Sequence, residues 1–152
     1  TTLFRSIKKG DWSGRGSFIP EGASLGVTVN VELDVQAEAE GWIFRGALSG
    51  GAEGDILIRI AGNEVGTYAV DVRIADVFME GVAKLESEPN LALLWDVSAS
   101  QTATAALFNV DRGIGCRGFF QSGGETLTWE ILFRPLQQVV QAHNVVSLNR
   151  RR

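Results

Sequence analysis

The sequence predicts an all-β protein: one up-and-down antiparallel β-barrel of about ten strands, built by a single domain over residues 1–152. Three observations predict it. Apolar and polar residues alternate with period two along most of the chain. Short turn signals separate the alternating runs. Helical patterning is confined to the extreme N-terminus, while Gly is frequent (18 residues) and Pro rare (3 residues), which suits turns and barrel corners better than disorder.

Taken in order, Thr2 to Lys9 can form one short helical turn with Leu3, Phe4 and Ile7 packed inward. A strand candidate follows at 12–18. From Val27 to Ala39 every odd position is apolar, and Thr28, Asn30, Glu32, Asp34, Gln36 and Glu38 between them are polar. That alternation marks a half-buried antiparallel strand. A helix would scatter the same residues around its circumference. Ile56, Ile58 and Ile60 repeat the pattern, as do Tyr68, Val70, Val72 and Ile74, and later Leu127, Trp129, Ile131 and Phe133. Shorter candidates lie at 42–48, 80–86, 91–99, 103–110, 114–121 and 139–148, so the segments number about eleven, some of which can merge.

Turn signals fall between these runs: Glu40-Gly41, Gly50-Gly51, Gly62-Asn63, Glu88-Pro89-Asn90, Asp111-Arg112-Gly113 and Gly123-Gly124. Gly and Asn supply the positive φ of tight hairpins. Connections this short join antiparallel neighbours, since parallel crossovers need longer ones. Closing the meander into a barrel removes its exposed edges. Such a barrel encloses either side chains or one small ligand. A β-sandwich is the rival architecture.

Fourteen basic against eighteen acidic residues leave a net charge of −4, which argues against nucleic acid as the main partner. Arg150, Arg151 and Arg152 read as a solvated tail. The one cysteine, Cys116, can form neither an internal disulfide nor a Cys-rich metal site, and reads as an inert small hydrophobe. The opening TTLFRSIKKG lacks the apolar run of a secretory signal, and no stretch approaches ~18 apolar residues. The expectation is a soluble cytoplasmic protein with no membrane span, its oligomeric state left open.

Enzyme motifs are thin. His143 is the only histidine, and G-x-S-x-G, P-loop and H-E-x-x-H patterns are absent. Glu86 and Glu88 read as a solvated strand edge, and Arg45, Arg59, Arg73 and Glu130 as solvated faces. No catalytic residue is assigned.

The most informative stretch is Gly10-Asp11-Trp12-Ser13-Gly14-Arg15-Gly16. A Trp among glycines at the start of a first strand plugs the closed end of a barrel, the glycines letting backbone approach the ring. G-x-W opening a first strand resembles the calycins, the lipocalins and fatty-acid-binding proteins among them. In lipocalins that Trp packs against an Arg near the end of the last strands, for which Arg134 is the candidate here. The fuller G-x-W-x-G-x-G resembles the nitrobindins, small haem-binding barrels. Gly124-Glu125-Thr126-Leu127-Thr128-Trp129 is similar to that family's G-D-T-L-x-Y segment. His143, Leu148 and Arg150 match in type and spacing its closing His-Leu-x-Ala-x-Leu-x-Arg strand. Together the two ends cover about 35 residues. The middle of the chain lacks the family's other haem-lining motifs.

The nitrobindin resemblance implies haem b held by His143 as proximal iron ligand, with chemistry on nitric oxide or peroxynitrite. By strand parity His143 shares a mixed face with Val139, Gln141, Val145 and Ser147, not the more apolar one. The calycin resemblance implies a small hydrophobic ligand, fatty-acid-like, inside the barrel. Trp42, Phe44, Trp95, Trp129 and Phe133 are its expected lining, with Phe119 and Phe120 as further aromatic material. Arg117 or Arg134 would hold a head-group carboxylate by a bidentate pair. The preferred reading is the hydrophobic-ligand carrier. The haem protein and a ligand-free structural barrel are the alternatives.

Overall fold

The computed structural model describes residues 2–62, 66–96, 98 and 100–136. The alternating run at 27–39 forms one strand, β2 (Val27–Glu38), with Val29, Val31 and Val35 buried and their even-numbered neighbours exposed. Before it comes β1 (Gly10–Pro20), and after it β3 (Gly41–Gly50), β4 (Gly54–Gly62), β5 (Tyr68–Ile74), β6 (Val77–Lys84), β7 (Asn90–Asp96), β8 (Gln101–Val110), β9 (Gly113–Ser122) and β10 (Glu125–Pro135). Each strand pairs antiparallel with its sequence neighbours, and β1 pairs with β10, so the sheet closes into an up-and-down barrel. That closure excludes the sandwich. The segment 139–148, His143 and the three terminal arginines lie outside the described residues.

Residues directly opposite each other in an antiparallel ladder share a face. The registers carry one inward face right round the barrel: Leu33 opposite Trp12, Gly46 opposite Leu33, Ile56 opposite Gly46, and Ile74 opposite Ile56. Trp12, Val31, Val35, Leu48, Tyr68, Val70, Val72, Ala83, Leu94, Ala103, Ile114 and Ile131 all fall on it and are all buried. The outer face of β2 to β5 carries Glu32, Asp34, Arg45, Arg59, Asp71 and Arg73, whereas that of β6, β7 and β9 carries the exposed Phe78, Val82, Leu91, Leu93 and Phe119. No helix among the described residues is long and apolar enough to cross a membrane.

The N-terminal turn is a short helix, α1 (Leu3–Ser6), capped by Thr2, whose hydroxyl accepts from the Arg5 N–H. It covers one end of the barrel. Leu3 and Ile7 are buried, the Phe4 ring stacks on Tyr68 at 4.6 Å, and the Phe4 N–H donates to the Leu85 carbonyl at 3.1 Å. Trp12 packs beneath this cap, 5% exposed, and its indole N–H donates to the Lys8 carbonyl at 2.7 Å.

Two turn expectations need correction. Positive φ falls at Gly50, Gly123 and Gly124 as the turn signals suggest, but not at Gly41, Gly62 or Gly113, whose turn takes it at Arg112 with φ of 61°, and Asn63 lies outside the described residues. Gly41 is the first residue of β3, where a side chain would run into the Ile60 carbonyl, so close approach requires the glycine. The hairpin between β5 and β6 turns at Ala75, with φ of 55°, and carries no glycine. Without that signal the sequence places the strand at 80–86, whereas β6 starts at Val77.

Inside the barrel, Gly46 and Gly81 sit where a Cβ would strike the carbonyl groups of Glu32 and Leu93 on the adjacent strands. Close approach of the adjacent strand requires glycine at both positions.

Candidate functional site

The barrel lumen is the candidate site. Its wall is apolar between the rims, where Asn90, Asp96, Gln101, Asn109, Ser122 and Glu125 take inward positions. Phe44, Ile58, Ile60, Met79, Leu107, Phe120, Trp129 and Phe133 face inward by register, yet they are half-buried, unlike the fully buried residues beside them. An inward side chain has the sheet at its back, so the surface it keeps is chiefly the surface facing the lumen.

The sequence-predicted residues divide between the two faces. Trp42, Phe44, Trp129 and Phe133 point inward and pack on the main core cluster. Trp95 pairs with Glu80 and Thr102 and points outward. Phe119 is likewise outward and 57% exposed, while Phe120 is inward. Arg117 is on the outer face, where its guanidinium lies 4.6 Å from the Phe108 ring centre and 3.8 Å from the Glu130 carboxylate. Arg134 is outward and exposed as well. It does not reach Trp12 in the lipocalin manner, because Trp12 lies opposite Pro135, which puts Arg134 on the other side of the wall.

Polar groups inside are few. Cys116 faces the lumen, and the Trp129 indole N–H donates to its sulfur at 3.4 Å. Burial pushes the Cys116 thiol up, against the opposite pull of that hydrogen bond. Tyr68 donates to Glu86 Oε1 at 2.6 Å, so Glu86 is a structural acceptor as well as a surface carboxylate. Burial, then the Glu86 hydrogen bond and charge, push the Tyr68 hydroxyl up to about 12.

Two inward polar atoms are buried with no partner: Nε1 of Trp42 and Oδ1 of Asn90. An orphaned buried donor or acceptor costs about 1–3 kcal/mol, and native interiors hold few of them. Asn90 escaped sequence reasoning, which took it for a turn residue after Pro89. Parity gave no usable signal, since Asn90 is in phase with Ala92, Leu94 and Asp96, while Leu91, Leu93 and Trp95 make the more apolar face of β7.

Two open depressions are also present. One, of about 550 Å³, lies at the α1 end against Phe4, Trp42 and Tyr68 and is rimmed by Glu38 and Glu40. The other, of about 1060 Å³, lies largely on the outer wall of β6 to β10, against Val82, Leu91, Leu93, Phe119 and Leu132.

The chemistry this arrangement offers is binding. Among the described residues, no cluster of three or more His, Cys, Asp or Glu could hold a metal ion. Of the lumen residues that could ligate haem iron, the Cys116 thiol is pushed up by burial, the Tyr68 hydroxyl is raised to about 12 and engaged by Glu86, and Met79 offers a thioether, a ligand that commonly serves beside a histidine. The haem reading rests on His143, outside the described residues.

No family model matches the chain, and no curated protein matches it either. The closed ten-strand antiparallel barrel is compatible with a calycin-like fold.

Proposed function

We propose that this protein binds one small hydrophobic molecule inside its barrel. The observation that carries the reading is the set of half-buried apolar side chains on the inward face, Phe44, Ile58, Met79, Phe120 and Trp129 among them. Side chains nearly fill an eight-stranded barrel, and the diameter grows with strand number, so the ten-strand count favours room for a ligand beside the inward side chains. Apolar surface left facing such a space gains free energy when a ligand covers it, at about 25 cal/mol per Å². Trp42, Phe44, Trp129 and Phe133 would line the ligand. Trp95, Arg117 and Arg134, on the outer face, would not touch it.

The test is a fluorescence titration with N-phenyl-1-naphthylamine, a neutral apolar dye that brightens when it leaves water, with a parallel absorption titration using hemin. Saturable brightening by the dye, without a sharp Soret band from hemin, supports the carrier reading. A sharp Soret band that is lost in His143→Ala overturns it in favour of haem. Absence of both responses leaves a filled structural barrel.

A further inference from the structure

The depression at the α1 end, of about 550 Å³, is walled by aromatic rings and rimmed by carboxylates. Three parts of the chain build it: α1, the turn between β2 and β3, and the adjoining ends of β4 and β5. Phe4 joins the rings. It stacks on the buried Tyr68, with 4.6 Å between centres and 24° between planes, and stands 6.3 Å from Trp42 at an angle of 59°. Phe4 and Trp42 are each only half-buried, so two rings set at an angle keep surface at one corner of the cavity.

Ring faces carry negative potential and attract cations. The fixed charge at this corner has the same sign. Among the described residues that line the depression, Glu38 and Glu40 are the charged ones, and no Lys or Arg joins them. Arg59 lies 3.7 Å from Glu38, in a pair exposed on both sides and therefore weak. Arg5, Lys8 and Lys9 of the N-terminal segment are exposed and line no part of the cavity.

The walls also choose among cations. A primary ammonium leaving water needs an acceptor for each N–H, and aromatic walls supply none. A quaternary ammonium has an apolar surface, sheds its water readily, and needs only ring faces and a nearby carboxylate.

We propose that this depression is a binding site for a trimethylammonium group, with Phe4 and Trp42 as its aromatic walls and Glu40 as its counter-charge. The cavity is open to solvent, so the rest of the ligand extends outward from it. The ligand is a small choline-like quaternary amine in chemical class. The site stands apart from the lumen and does not rest on the lumen-binding reading.

The experiment compares choline with 3,3-dimethyl-1-butanol, which has the same shape and lacks the charge. Each is titrated into the protein at constant ionic strength, and binding is read from the shifts of amide and indole N–H signals in a nitrogen–proton NMR spectrum. In the wild type choline binds saturably and roughly tenfold more tightly than the alcohol. That preference falls several-fold in Phe4→Leu, in Trp42→Leu and in Glu40→Gln, with folding checked by circular dichroism. Glu40 is exposed, so its variant keeps the fold even where loss of a ring disturbs it. Equal or absent binding of the two probes in the wild type overturns the proposal, as does an unchanged preference in folded Phe4→Leu or Glu40→Gln. Displacement of bound N-phenyl-1-naphthylamine by choline would put the cation in the lumen and overturn it as well.

Discussion

The Tyr68 hydroxyl donates to Oε1 of Glu86 at 2.6 Å, tying the first residue of β5 to the segment just beyond β6. Tyr68 is the only tyrosine, so its ionisation can be followed directly by tyrosinate absorbance. Its folded pKa is raised to about 12 from the ordinary 10.0. The stability that accompanies this shift is fully present below pH 10.0 and is lost as the pH rises toward about 12. The native protein should titrate near the upper value and the urea-unfolded chain near the lower one. A native midpoint at the unfolded value would remove the hydrogen bond from the account.

Cys116 should react slowly. Its thiol faces the lumen, takes a hydrogen bond from Trp129, and is pushed up by burial, so little thiolate forms at neutral pH. An aromatic disulfide reagent should label the native protein far more slowly than the denatured chain. Equal rates would place the sulfur in solvent.

Trp12→Ala should destabilise the barrel by about 3–5 kcal/mol, the usual effect of truncating a buried Trp. The ring is 5% exposed, and its N–H holds the Lys8 carbonyl next to α1. Urea denaturation measures the change. An unaltered midpoint would contradict the packing described at this end.

Arg117→Ala should cost no more than about 1 kcal/mol, because its contact with Glu130 is exposed on both sides. It should also leave dye affinity within about twofold, less than half a kcal/mol. The guanidinium is outside the wall that Cys116 and Gly118 face from within. A large loss of binding would put the ligand on the outer surface.

The strands were legible in the sequence because a barrel wall is wet on one side and dry on the other, which writes a period of two into every strand. Val27 to Ala39 is the clearest case, and Trp12 between glycines pointed to a plugged end. Strand starts were less legible wherever the turn lacked a glycine, as at Ala75 and Asp76. Site residues were read by type, aromatic or basic, and type does not decide the face. Strict alternation from Cys116, carried through Glu130 and Trp129, would already have put Arg117 and Arg134 outside. The Trp42 and Asn90 pair was not legible, because an orphaned atom is a property of the packed interior and not of any local pattern.

The most direct test of the central claim separates the lumen from the outer wall. N-phenyl-1-naphthylamine is titrated, by energy transfer from the indoles, into three proteins: the wild type, Met79→Trp and Leu93→Ser. Met79 faces the lumen and Leu93 the outer depression. The account predicts saturable binding of one dye per chain in the wild type and in Leu93→Ser, and a large loss in Met79→Trp, where the added ring fills the space. Binding lost in Leu93→Ser but kept in Met79→Trp would contradict it.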